Sequence, residues 1–305
     1  MVQVAVASSL EYYVLQRVYA NATTSSKTNP TPVRQQVVLT APIYKKRAET
    51  VAKIENFWPL TIEACPTDID QFIQPSDSQI LTSLKNLDVS NFEIVDGKII
   101  PGGDVRSIAI TMEFGENDFF TDSKLVKKLW YRRHLDGWSG LVSEPVKINW
   151  KAGKDLTEGL LDLACALWVA EQSGSGIEEA QQALEVKLGE TAQPNSFFAF
   201  FGFIGRRISH EMSVQSKANE AAERAGQDVE DYEHTEEAMQ IEDRQAELEI
   251  FPEGDELAIS IGEDLWPSAI KYFSETPHAH GGGCNDGCCA SGGEDEEWED
   301  DEEEA

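Results

Sequence analysis

The chain has 305 residues, of which 41% are apolar, and a formal net charge of −30. That apolar share can bury one or two cores, whereas the charge makes broad binding to naked nucleic acid repulsive. No run approaches the roughly 18 apolar residues of a membrane span, and five cysteines, an odd number, suggest no disulfide framework.

Residues 1–32 read as a low-information leader. Its apolar start, Val2 to Ala7, lacks the basic region of a secretion signal, so a soluble intracellular protein is expected. Val2 to Arg17 fits a short helix that the Ser/Thr/Asn/Pro cluster from Thr23 to Pro32 ends. From Val33 to Ile54 the positions Val37, Ile43, Tyr44, Ala48 and Val51 recur at helical spacing, with Pro42 expected to kink or interrupt the helix. Asn56-Phe57-Trp58-Pro59 should stop it and open a shorter helical region through Leu84.

The middle reads as β. Asp96-Gly97 between Phe92 to Val95 and Lys98 to Ile100 predicts a type I′ hairpin. Ile108, Ile110, Met112 and Phe114 alternate with Ala109, Thr111 and Glu113, the pattern of a half-buried strand. A polar loop from Glu116 to Asp122 then leads to a strand from Leu125 to Arg133. Asp155 with Glu158 fits a capping box for a helix bearing Leu156, Leu160, Leu163 and Leu167 on one face. Leu257 to Phe273 is the last periodic apolar segment. The expected class is α+β, with an antiparallel sheet backed by helices.

Charge is concentrated in two places. Glu294, Asp295, Glu296, Glu297, Glu299, Asp300, Asp301, Glu302, Glu303 and Glu304 leave only Trp298 and Ala305 uncharged in the last twelve residues. So dense a run of like charge is expected to stay solvated and disordered. From Glu211 to Asp255 fifteen acids face Lys217, Arg224 and Arg244, a net of −12. Together with the tail this leaves about −8 for the rest. Basic proteins are the natural complement, met in fast, salt-sensitive encounters.

Three other clusters have two readings each. Lys124, Lys127, Lys128, Arg132 and Arg133, interleaved with Trp130 and Tyr131, match either a nucleic-acid patch or charges paired with local acids. Lys45, Lys46, Arg47 and Lys53 match a solvated helix patch or an import signal. His278, His280, Cys284, Cys288 and Cys289 lie among six glycines at spacings that fit no structural zinc pattern, so a flexible linker is expected and no metal or cofactor. Neither a phosphate-cradling glycine loop nor a nucleophile elbow is present, so no enzyme is expected.

Four stretches in this order resemble the nucleosome assembly protein family and its SET-like branch. They are Ala41-Pro42-Ile43-Tyr44-Lys45-Lys46-Arg47 running into Ile54-Glu55-Asn56-Phe57-Trp58-Pro59; Ile108 to Phe114 with Asn117-Asp118-Phe119-Phe120; Ile148-Asn149-Trp150-Lys151-Ala152-Gly153-Lys154-Asp155-Leu156-Thr157; and Ser196-Phe197-Phe198 with Glu263-Asp264-Leu265-Trp266-Pro267. The resemblance implies a dimerisation helix (33–54), an earmuff domain (55–275) and a Gly/Cys linker with acidic tail (276–305). It also implies a non-enzymatic histone chaperone of the nucleus and cytoplasm with core histones as partners, or, alternatively, a phosphatase inhibitor or histone acetyltransferase cofactor. The histone-binding residues are expected to be the tail acids, then Asp228, Glu230, Asp231, Glu233, Glu236 and Glu237. Phe57, Trp58, Trp150 and Trp266 are expected to be packing anchors rather than contact residues. Pro30 and Pro32 break the pattern just upstream of the first motif. Either the dimerisation helix is shortened or the leader comes from an incorrect gene model, and a weak homodimer is expected.

Overall fold

The computed structural model describes residues 30–191, 196–229 and 232–276. The leader helix, Glu230, Asp231, the Gly/Cys segment and the tail acids lie outside the described residues.

Helix α1 (Pro30–Val51) starts three residues earlier than the sequence pattern implied, ends three earlier, and runs through Pro42. Pro30 and Pro32 do not break it. A proline in the first turn gives up an N–H that has no intrahelical partner anyway, and its fixed φ suits the helix start. Three short helices follow, α2 (Phe57–Glu63), α3 (Thr67–Asp70) and α4 (Ser78–Leu81). Asn56, at φ 56°, turns the chain between α1 and α2, and Phe57 and Trp58 are buried immediately after it.

The main sheet is antiparallel with order β1-β4-β5-β6, from β1 (Leu84–Ser90), β4 (Ile108–Phe114), β5 (Lys124–Arg133) and β6 (Ser139–Ser143). The register pairs Leu87 with Met112, Val89 with Ile110 and Ile108 with Leu129, so one face gathers the alternating apolar residues. Between β1 and β4, β2 (Ile94–Val95) and β3 (Lys98–Ile99) form the expected hairpin. Asp96 and Gly97 both have positive φ, 49° and 71°, as a type I′ turn requires.

The loop from Glu116 to Asp122 is less polar than its sequence. Asn117 Oδ1 accepts the backbone N–H groups of Phe119 and Phe120 at 2.9 and 3.0 Å, folding both rings inward. Phe120 forms a β-bridge with Trp150 and meets its ring edge-on at 5.7 Å.

Helices α5 (Leu160–Ser173) and α6 (Ile177–Glu190) form a hairpin whose turn holds Gly174 and Gly176, both at positive φ. The capping box expected at Asp155 and Glu158 is absent. The Asp155 carboxylate is already occupied by the Thr157 N–H and hydroxyl and the Gly159 N–H, and Glu158 sits at φ 53°. The helix therefore starts only at Leu160. A 3₁₀ turn (Phe197–Gly202) drives Phe197, Phe198, Phe200 and Phe201 into the core. It is fixed at its start by Asp77, which accepts from the Ser196 hydroxyl and the Phe197 N–H.

Helices α7 (His210–Arg224) and α8 (Glu236–Glu247) carry the acidic stretch. The chain then re-enters the core through α9 (Gly254–Ser260), a π-turn (Ile261–Leu265) and α10 (Ala269–Glu275), which packs on α2. No described helix is long and apolar enough to cross a membrane.

Candidate functional site

The acidic stretch is built as two unequal helices. Ser209 caps α7, its hydroxyl accepting the Met212 N–H at 3.1 Å. The helix rests on β5 through two small buried residues. Ser213 Oγ accepts the Arg133 N–H at 3.1 Å, and Ser216 Oγ donates to the His134 carbonyl at 2.9 Å. Lys217 reaches Asp104 at 3.3 Å, and Glu220 bridges Arg133 and Arg224 at 2.8 and 2.5 Å.

Helix α8 is capped by Thr235, which accepts the Ala238 N–H at 3.2 Å, yet none of its residues is buried. Polar contacts hold it. Glu242 meets Arg206 at 2.7 Å and His234 Nε2 at 3.5 Å, while Arg206 also meets Asp136 at 3.0 Å. Burial alone would raise the Asp136 carboxyl, but the Trp138 N–H and Arg206 outweigh it and hold it at about 2. Arg244 crosses to Glu185 on α6 at 2.6 Å.

Nine of the fifteen acids fall into two groups. Glu220, Glu242, Glu247 and Glu249 are committed to internal partners. Of the acids predicted for binding, Asp228, Glu233, Glu236 and Glu237 are exposed and carry no ion pair among the described residues. Asp243 shares that state and belongs with them. These acids are brought onto one short segment around α8; Glu230, Asp231 and Glu294 to Glu304 fall outside the description.

The basic cluster on β5 does not form a patch. Alternation along the strand sends its members to opposite faces, and each has a partner. Lys127 is fully buried and its Nζ donates to the carbonyls of Glu144, Phe201 and Phe203 at 2.7, 3.0 and 2.6 Å. Burial pulls its ammonium down to about 7, against the opposing charge of Glu249. Burial likewise raises the Glu249 carboxyl, although it accepts the Gly205 and Ile204 N–H groups at 2.9 and 3.0 Å. Arg132 is buried against Glu93, Arg133 pairs with Glu220, Lys124 pairs with Glu113, and Lys128 lies over the Phe92 ring.

Arg47 also departs from the solvated patch expected on α1. Its guanidinium lies 4.7 Å from the Tyr44 ring centre and 4.5 Å from that of Trp266, and it donates to the carbonyls of Trp266 and Pro267. Burial lowers it to about 10. Lys45, Lys46 and Lys53 remain exposed.

A family model described as nucleosome assembly protein (NAP) matches residues 21–276. Among curated relatives, a putative nucleosome assembly protein of Schizosaccharomyces pombe is 26% identical over 194 residues, 59% of this chain and 75% of that protein. NAP1-related protein 2 of Arabidopsis thaliana is 27% identical over 78% of this chain and 64% of its own length. Protein SET of Drosophila melanogaster is 30% identical over 132 residues, 40% of this chain and 43% of its own. The chain therefore spans less than two thirds of the last two relatives. A crystal structure of Vps75 is similar at a TM-score of 0.49 with 17% identity, covering 88% of this chain and 98% of that one.

Proposed function

The chain belongs to the nucleosome assembly protein family of non-enzymatic histone chaperones, and from that premise we propose that it binds core histones through the exposed acids around α8 together with the acidic C-terminal run. The observation that carries this reading is the division of the acidic stretch. Asp228, Glu233, Glu236, Glu237 and Asp243 are exposed with no ion pair among the described residues, although Arg133, Arg206 and Arg244 pair with other acids of the same stretch or of α6. Unpaired surface carboxylates keep their charge available to an incoming polycation.

The mechanism is competition. Histones are held on DNA through many phosphate contacts. A chaperone that neutralises the same lysines and arginines prevents disordered encounters with DNA and yields to the ordered wrapping of the nucleosome. With such a partner, the proposed location is the nucleus, with the cytoplasm as a second one. Dimerisation through α1 is part of the same reading. Val38 and Leu39 are 45% and 72% exposed on that helix, a small apolar offering beside the ~1,200 Å² of a stable interface. The expected dimer dissociates at micromolar concentration; sedimentation over a dilution series checks it, and a dimer persisting at nanomolar concentration would overturn it.

Two changes to the full chain test the binding surface. Replacing Glu233, Glu236 and Glu237 together by Gln is expected to weaken core-histone binding about tenfold at moderate salt and to flatten its salt dependence. Deleting residues 294–305 is expected to act in the same direction, with the melting temperature unchanged in both. Isothermal titration at two salt concentrations reads the result. Unchanged affinity in both variants would sink the assignment.

A further inference from the structure

Beneath α8 lies a groove of about 210 Å³ whose apolar walls are Ile208, Met212, Tyr232, Ala238 and Ile241. It is unusual company for a helix so rich in acids. Ile241 and Met239 are 53% and 41% exposed, so α8 presents large apolar side chains to solvent without burying any. His134, Arg206 and Arg207 also line the groove, together with the acid Glu242. The two arginines are already neutralised, Arg206 by Asp136 and Glu242 and Arg207 by Glu171 at 3.2 Å. The rim is different. Glu211, Glu233, Glu237 and Asp243 are exposed and are the immediate chain neighbours of the lining residues Met212, Tyr232, Ala238 and Glu242. An apolar recess with neutralised arginines inside, and exposed carboxylates outside that carry no ion pair among the described residues, is complementary to an apolar side chain carried on a basic segment.

We propose that this groove anchors one apolar side chain of a basic amphipathic helix in a folded core histone, so that the acidic surface prefers a folded histone to a plain polycation. This rests on the histone-binding reading above and adds a specificity element to it. Charge argues against Trp298 of this chain as the occupant, because its flanking acids would meet the acids of the rim.

The test uses the full chain with two groove variants, Ala238→Trp, which fills the recess, and Ile241→Ser, which removes one wall at an exposed position. Binding is measured at elevated salt, where long-range attraction is screened, against a folded core-histone heterodimer and a lysine-rich histone-tail peptide. Both variants should bind the heterodimer about tenfold more weakly, bind the tail peptide as wild type does, and melt as wild type does. Equal loss for both ligands, or no loss for either, overturns the anchor while leaving histone binding intact. Wild type that binds the heterodimer no better than a basic protein of equal charge overturns the histone reading itself, and the anchor with it. Should Ala238→Trp disturb the fold, Ile241→Ser decides alone, since its side chain is already largely in solvent.

Discussion

Trp266→Ala is expected to cost about 3 kcal/mol, at the lower end of large-to-small aromatic changes because the ring is only partly buried. The substitution removes three contacts at once. Trp266 packs on Tyr44 at 4.2 Å between ring centres, covers the Arg47 guanidinium, and donates Nε1–H to the Leu87 carbonyl at 3.1 Å. Two of these tie α1 to the domain and the third ties the π-turn to β1. Loss should therefore appear twice, as a lower melting temperature and as faster tryptic cleavage at Lys45, Lys46 and Arg47. Wild-type melting with wild-type cleavage would show that α1 is held elsewhere.

The second large effect is expected from Lys127→Met. The volume is nearly conserved, but the carbonyls of Glu144, Phe201 and Phe203 lose a shared donor, although Phe201 O keeps the Val146 N–H and Glu144 O keeps the Ser143 hydroxyl. A buried acceptor left unsatisfied costs about 1–3 kcal/mol, partly offset because Met needs no desolvation of a charge, so a net loss of about 2 kcal/mol is expected. A pH signature separates this from simple repacking. Burial holds the Lys127 ammonium near 7, below the range of an exposed lysine. Between about pH 7 and pH 10 the unfolded chain then binds more protons than the folded one, so this group makes stability rise with pH across that window. Glu249 has the opposite sign at lower pH. Its raised carboxyl favours the folded state in acid and loses that contribution as pH rises through its folded-state titration. Denaturation midpoints at pH 7 and 9 check the claim, because the upward slope should be smaller in the mutant. An unchanged midpoint at both pH values would refute it.

Periodicity and turn chemistry were legible where the side chain's fate follows from its own strand or turn. Ile108 to Phe114 alternate as expected, and Asp96-Gly97 turns as expected. The family motifs also marked their anchors correctly in Phe57 and Trp58, which are buried, and in Trp150 and Trp266, which pack against the core. What could not be read is which charges are spent inside the fold. Lys127 and Lys128 are neighbours of the same type, yet one points at three carbonyls and the other at solvent. The strand period assigns them to opposite faces but does not say which face holds the acceptors. Glu242 and Asp243 are a parallel case. One helical step separates an acid shared by Arg206 and His234 from one that is free. Helix ends were similarly opaque. Asp155 and Glu158 satisfied a capping pattern, but a loop had already used the carboxylate.

The seat of Arg47 between Tyr44 and Trp266 fixes more than one side chain. Helix α1 spans 22 residues, about 33 Å at 1.5 Å per residue, and Arg47 lies near its domain-side end. The helix therefore behaves as a lever whose pivot is this aromatic clasp. Pro30 lies about 25 Å along the axis from Arg47, so a rocking of about five degrees there carries the far end through about 2 Å, enough to disturb a partner docked near Pro30. A clasp made of two ring faces and two carbonyls resists such rocking in more than one plane. The rigidity of anything assembled on the far end of α1 is thus set at its near end, by a residue about five turns away.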